Sequence, residues 1–325
     1  MQRKILVWVG VLLPLATILV AGAIYQSRAE HHDRTLMPGT LVDLGEYDLH
    51  LLCKGEAREG VPVVILETAL WGSYPEWYPV MNPVSTITKV CSYDRMGMGW
   101  SSPSDKPTRS VDVARDLHNL LDLAGIDMEV LLVGWSAGGM YVRKFYELYP
   151  DKVAGLVFVD SAHEQQHQTV PNFGTDLTVI KFCDAISWTG IGRLFNLFES
   201  YAIESFRQTW IDEQLRVYNR TSFCSGLLNE RLGFDSDLAL NKPLVSLGDL
   251  PLTVIRAGKA LRLEGLGEGY NQADVDQHTQ GWVQLNEEMA ALSSNSVLEV
   301  AENSGHAVPV EQPEIIVEAI KQMLK

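Results

Sequence analysis

The chain is short of positive charge, of cysteine and of repetition. Only 26 Lys and Arg stand against 41 Asp and Glu in 325 residues, a formal net charge of −15. Gripping a phosphate backbone needs a basic face, so nucleic acid is not an expected partner. The four cysteines, Cys53, Cys91, Cys183 and Cys224, show no CxxC spacing, which argues against a structural zinc site. No period of roughly 20–50 residues recurs and no low-complexity tract stands out, so repeat architectures are not indicated. What is abundant is apolar residues, 46% of the chain. That is enough for one large domain with a buried core, or two smaller ones.

The longest uncharged run is Ile5 to Tyr25, preceded by Arg3 and Lys4. About 20 apolar residues span a bilayer as a helix, whereas the apolar core of a cleaved signal is roughly 7–15 residues long. The length favours a retained transmembrane helix. Ala21-Gly22-Ala23 offers small residues of the cleavable kind, so a secreted protein is the alternative. Pro14 does not forbid the span, because membrane helices tolerate proline. Arg3 and Lys4 then set the N-terminus on the cytoplasmic side and the main domain on the other. Gln26 to Met37 reads as a polar tether, so residues 1–37 form one unit and 38–325 the other.

From Pro38 the pattern is of strands and helices in alternation. GTLVDLG and EYDLHLLCKG alternate apolar and polar residues, as an edge hairpin does. VPVVILE, TKVCSYD, EVLLVG, VAGLVFVD, PLTVIRAG and SVLEVAEN read as further strands, several of them continuous apolar runs of the doubly buried type. Between them, Ser110–Ala124, the stretch after Ser136, Gln280–Leu292 and the C-terminal segment read as helices. Such alternation predicts a parallel sheet with helices on both faces, and chemistry at the carboxyl ends of the strands. From about 162 to 249 the rhythm breaks into a helical insertion. Its aromatics include Phe173, Phe182, Trp188, Phe195, Phe198, Tyr201, Phe206 and Trp210. They either pack the insertion onto the sheet or line an apolar pocket.

One stretch organises the rest. Leu131 to Met140 reads strand, then Gly134-Trp135-Ser136-Ala137-Gly138-Gly139, then helix. Gly-x-Ser-x-Gly between a strand and a helix predicts a turn so sharp that side chains at Gly134 and Gly138 would collide with neighbouring backbone. The bend lifts the Ser136 hydroxyl clear of the sheet. It also aims the Ala137 amide, at a helix start, where an oxyanion would form.

Together with Tyr93-Asp94-Arg95, Gly97, Gly99, Ser101 and Ser304-Gly305-His306, this stretch resembles the α/β-hydrolase superfamily over roughly Pro38 to Lys325. The resemblance implies a mostly parallel eight-stranded α/β sheet with a helical cap in the position of 162–249. It also implies a Ser–His–acid triad, with Ser136 as nucleophile and His306 as general base. The acid departs from the usual pattern. The common position, three residues past Gly258, is Leu261, which cannot orient a histidine. Asp160, at the end of the strand before the cap, is the first candidate, and Glu264 is the second. By position Leu70 supplies the second oxyanion amide, with Ala69 as the near alternative. The usual His-Gly opening of that loop is Glu67-Thr68 here.

His163-Glu164-Gln165-Gln166-His167 matches the HExxH zinc pattern. It lacks an apolar helix face and an obvious third ligand, so no metal is expected. In this fold Cys53 and Cys91 fall on neighbouring strands. A disulfide there, or between Cys183 and Cys224, is allowed outside the cytoplasm, but three pairings are open. Asn219-Arg220-Thr221 fits the glycosylation pattern. The expected function is a membrane-anchored serine hydrolase for carboxylic esters or related acyl compounds, lipid-like ones included, working without a cofactor. A peptidase or cofactor-free haloperoxidase on the same scaffold is the alternative enzyme. A non-catalytic ligand-binding protein is the alternative of another class.

Overall fold

The apolar runs form strands, and the strands align into one sheet. They are β1 (Thr40–Asp43), β2 (Asp48–Lys54), β3 (Val63–Glu67), β4 (Val90–Asp94), β5 (Val130–Trp135), β6 (Val153–Val159), β7 (Leu252–Ala257) and β8 (Ser296–Ala301). The computed structural model describes residues 2–171, 176–203, 206–240, 242, 245–261, 263 and 269–325, with side chains from Leu12 onward. The sheet order is β1-β2-β4-β3-β5-β6-β7-β8. The β1–β2 and β2–β4 pairs are antiparallel and all the others parallel, which places the expected hairpin at one edge.

The helices are α1 (Gln2–Arg34), α2 (Tyr78–Val84), α3 (Ser110–Leu123), α4 (Ala137–Leu148), α5 (Gln166–Thr169), α6 (Leu177–Ser187), α7 (Ile191–Leu194), α8 (Gln208–Tyr218), α9 (Phe223–Ala239), α10 (Gln272–Ala290), α11 (Val308–Glu311) and α12 (Pro313–Met323). Side chains alternate across each strand, and both faces of the sheet are covered. Val64 and Leu66 of β3 pack in one core with Met81 of α2 and Ile316 and Ile320 of α12. Val63 and Ile65 pack in the other with Leu117 and Leu121 of α3 and Phe145 of α4. Burial on both faces explains why these strands are unbroken apolar runs.

Among the described residues, the α-helices α5 to α9 lie between β6 and β7, where the insertion was expected. The cysteines pair as Cys53–Cys91 across β2 and β4, and as Cys183–Cys224 between α6 and α9. α10 begins eight residues before the expected Gln280. Asn271 caps it, accepting from Ala273 N at 2.8 Å, and Asp274 returns a bond to the Asn271 amide. An Asn-x-x-Asp box of this kind satisfies the free first-turn amides.

The stretch expected as a polar tether is not one. α1 runs without a break through Gln26 to Arg34, and its last turns dock on the insertion. Gly22 lies against the Thr189 carbonyl so closely that a Cβ would collide with it. Gln26 donates to Asn219 O at 2.5 Å, Glu30 accepts from the Thr221 hydroxyl at 2.5 Å, and Asp33 pairs with Arg193 at 2.7 Å. Gln26, Glu30 and Asp33 recur at helical spacing, so one face of α1 meets the insertion. Upstream, Leu12, Leu13, Ile18 and Val20 are exposed. The described span Leu12–Arg34 is long and apolar enough to cross a membrane.

Candidate active site

Ser136 sits at the bend between β5 and α4 with φ 55° and ψ −122°. The positive φ is unusual for a residue with a side chain. The glycines around it are required by close approach. A Cβ on Gly134 would lie 2.6 Å from Gly138 O, and one on Gly138 would lie 2.7 Å from Thr68 O. The bend therefore rests on the loop after β3.

The structure brings together three of the four candidate side chains. His306 Nε2 is 3.0 Å from Ser136 Oγ, and His306 Nδ1 is 2.6 Å from Asp160 Oδ2. Asp160 is itself held: its Oδ1 accepts from Ala257 N at 2.9 Å and from Trp282 Nε1 at 2.8 Å. Its backbone is also turned, with φ 39°. His306 is fixed from the other side, because its carbonyl accepts from Trp135 Nε1 at 2.8 Å. The Asp160 side chain is 4% exposed and that of His306 46%. Such a chain can draw a proton off the Ser136 hydroxyl, since Asp160 holds the imidazole with its Nε2 lone pair toward Oγ. Glu264 lies outside the described residues, as does Phe173. Leu261 lines the cavity over Ser136.

That cavity measures about 330 Å³. Leu70 and Ala137 line it beside Ser136 and His306, whereas Ala69 does not. The Leu70 and Ala137 amides have no acceptor among the described residues. The loop that carries Leu70 is anchored by a buried ion cluster. Arg95 donates to Glu67 at 2.5 Å, to Glu230 of α9 at 2.6 Å, and to the carbonyls of Thr68 and Ala69. Glu230 also accepts from Trp71 N at 2.6 Å, and Glu67 accepts from the Tyr93 hydroxyl. Burial raises the Glu67 carboxyl above its ordinary range, against the pull of Arg95. Glu67 thus replaces the usual loop opening with a charged anchor. Beneath the same loop, burial pushes Glu76 up to about 7, although Thr68 Oγ1 donates to it at 3.0 Å.

Sequence reasoning missed Trp282 and Glu230. Trp282 carried little signal, since its contact with Asp160 spans 122 residues. Glu230 carried none, because its partner Arg95 lies 135 residues away. The HExxH segment does not form one helix face. α5 begins only at Gln166, and Glu164 binds Arg143 at 3.1 Å. Burial, followed by nearby Arg143, lowers the pKa of His163. Among the described residues no group of three His, Cys, Asp or Glu could hold a metal ion. Of the aromatics of the insertion, Phe206 is buried and Trp210 packs against the core. Phe182, Trp188, Phe195 and Tyr201 do neither of the things expected of them: they are exposed and do not line the cavity.

A doubly covered, mostly parallel sheet with a serine on a strained bend at the carboxyl end of β5 defines the α/β-hydrolase class of fold. The chain has the α/β-hydrolase fold, and a family model described as alpha/beta hydrolase fold matches its residues 62–180. An AB hydrolase superfamily protein of Gibberella zeae is 23% identical over 284 residues, covering 81% of this chain and 86% of its own length. A probable transporter of Hormonema carpetanum is also 23% identical, over 299 residues and 88% of this chain. The chain spans only 42% of that relative's length. Among solved structures, a malate-bound thermophilic esterase from Thermogutta terrifontis superposes with a TM-score of 0.59 at 19% identity. That match covers 89% of this chain and 97% of the esterase, a likeness of fold.

Proposed function

We propose that the chain is a membrane-anchored serine hydrolase that cleaves carboxylic esters or related acyl compounds through an acyl-enzyme. The observation that carries this reading is the unbroken relay Asp160–His306–Ser136, opening on a cavity lined also by Leu70 and Ala137. Ser136 Oγ attacks the acyl carbon while His306 Nε2 takes its proton. The oxyanion is received by Leu70 and Ala137, and His306 then protonates the leaving alkoxide. Water, deprotonated by the same imidazole, releases the acid and restores Ser136. Asp160 holds the ring and balances its transient charge. Each amide of such a pair contributes about 10²–10³ in rate.

In this reading the helical insertion, about 162–249, is a cap over the site, and residues 38–325 form the hydrolase domain. α1 spans a membrane through Ile5–Tyr25, with the N-terminus cytoplasmic and the domain on the far side. The two disulfides support an oxidising compartment. A membrane tether and an apolar cap favour lipid-like acyl substrates.

The test is labelling of the full chain in detergent with a fluorophosphonate, which phosphonylates an activated serine. The native chain is expected to label and Ser136→Ala is not. Labelling that survives the substitution overturns the role of Ser136. A folded native chain that does not label overturns the hydrolase reading in favour of ligand binding.

A further inference from the structure

α6 is an apolar helix with no buried residue. It carries Leu177, Val179, Ile180, Phe182 and Ile186, yet none of its 11 residues is buried. Beyond the turn at Thr189-Gly190 the pattern continues. Phe182, Leu194, Phe195 and Tyr201 are between 64% and 70% exposed. Soluble monomers rarely leave so much contiguous apolar surface open. Charge is sparse here as well. From 177 to 198 there is one carboxylate, Asp184, in a chain with a formal charge of −15.

The position of this hairpin says what covers it. The turn joining α6 to α7 lies on α1. A Cβ on Gly22 would collide with Thr189 O, and one on Gly190 would meet Gly22 O and the Tyr25 ring at 3.2 Å. Gly22 lies inside the uncharged run that ends at Tyr25, about 5 Å from that end at 1.5 Å per residue. If Ile5–Tyr25 lies in hydrocarbon, the turn stands at the membrane boundary. Trp188 beside the turn and Tyr25 on α1 are both exposed there, and these are the side chains that favour the interface. The contacts of Gln26 and Asp33 with Asn219 and Arg193 fix the cap against the helix at that depth.

We propose that the α6–α7 hairpin is a second membrane contact, seated in the headgroup and acyl-chain boundary of the bilayer that α1 crosses. The proposal rests on the reading of α1 as a membrane span. It makes the cap a surface bound in the plane of the membrane as well as a cover for the site.

The test uses the full chain in phosphatidylcholine vesicles. Phe182→Cys and Phe195→Cys are labelled with an environment-sensitive fluorophore, the native disulfides being kept oxidised, and quenched by doxyl-phosphatidylcholine. Ile18→Cys reports the span, and Leu123→Cys, exposed on α3, reports bulk solvent. Labels at 182 and 195 are expected to be quenched several-fold more than the label at 123. Quenching at 18 but not at 182 or 195 overturns the proposal and leaves the span intact. No quenching at 18 overturns the span reading, and the proposal with it. A blue-shifted but unquenched label at 182 or 195 means that protein covers the hairpin, and also overturns the proposal.

Discussion

Two hydrogen-bonded histidine–aspartate pairs among the described residues are of nearly equal length and opposite character. His306 Nδ1 meets Asp160 at 2.6 Å, and His50 Nδ1 meets Asp94 at 2.7 Å. The difference lies at the far nitrogen. Nε2 of His306 faces a hydroxyl at the wall of a cavity, and Nε2 of His50 faces the carbonyl of Pro38 at 2.6 Å. A carbonyl can only accept, so the His50 ring has nowhere to pass a proton and acts as a clamp. It fastens the Pro38 segment to β2 and β4, with both side chains 0% exposed. Burial alone would raise the Asp94 carboxyl. The charge of His50 and the amides of Trp100 and Tyr74 outweigh it and hold the group below its ordinary range. What separates a relay from a rivet is therefore the third group, and the access that group has to solvent.

The largest expected effect breaks the relay. Asp160→Asn should cut acylation, read by fluorophosphonate labelling kinetics, by about 10⁴ with little loss of fold, as removal of the orienting acid does in other triads. Asp94→Asn should do the reverse. It leaves a buried ring without its counter-charge, so denaturant melts should show a loss of about 3–5 kcal/mol, while the folded fraction labels at the native rate.

Glu76 sharpens the contrast, as a buried carboxyl with no ion pair among the described residues and only the more distant pull of Arg95. Its folded pKa, about 7, stands above the ordinary 4.5, so the folded state holds the extra proton between those values. Stability therefore falls as pH rises from about 4.5 to about 7, by on the order of 3 kcal/mol from this group. Glu76→Gln should remove that slope, compared by melts near pH 5 and near pH 8. The smallest effect concerns the support of Asp160. Trp282→Phe deletes one of the donors to Oδ1 and should lower kcat about tenfold with KM held, a hydrogen bond to a charge being worth about 1.5–3 kcal/mol.

The sheet and its bend were legible because their causes are local. Gly134 and Gly138 are small since backbone passes within contact distance, and an unbroken run such as Val63–Leu66 reports burial on both faces. Ser136 was marked by its bend, and His306 and Asp160 were named through the resemblance to the α/β-hydrolase pattern. What escaped has causes far along the chain. Gln26, Glu30 and Asp33 read as part of a polar tether because Asn219, Thr221 and Arg193, which hold them, lie far along the chain in the helical insertion. That Glu67 could hold its loop by hydrogen bonds was open from the sequence; its partner Arg95, 28 residues on, was not legible. All eight named aromatics of the insertion were assigned inward, yet Phe182, Trp188, Phe195 and Tyr201 are exposed, because an apolar helix face does not say what covers it.

The cluster at Arg95 governs how the cavity can open. Glu230 is bonded to Arg95 and to the Trp71 amide, so swinging α9 outward would strand a buried guanidinium and loosen the loop that carries Leu70. The Cys183–Cys224 bridge extends that fixed side to α6. The insertion is thus pinned at α9, while across the cavity Gly281 of α10 lies close against the Thr169 carbonyl of α5.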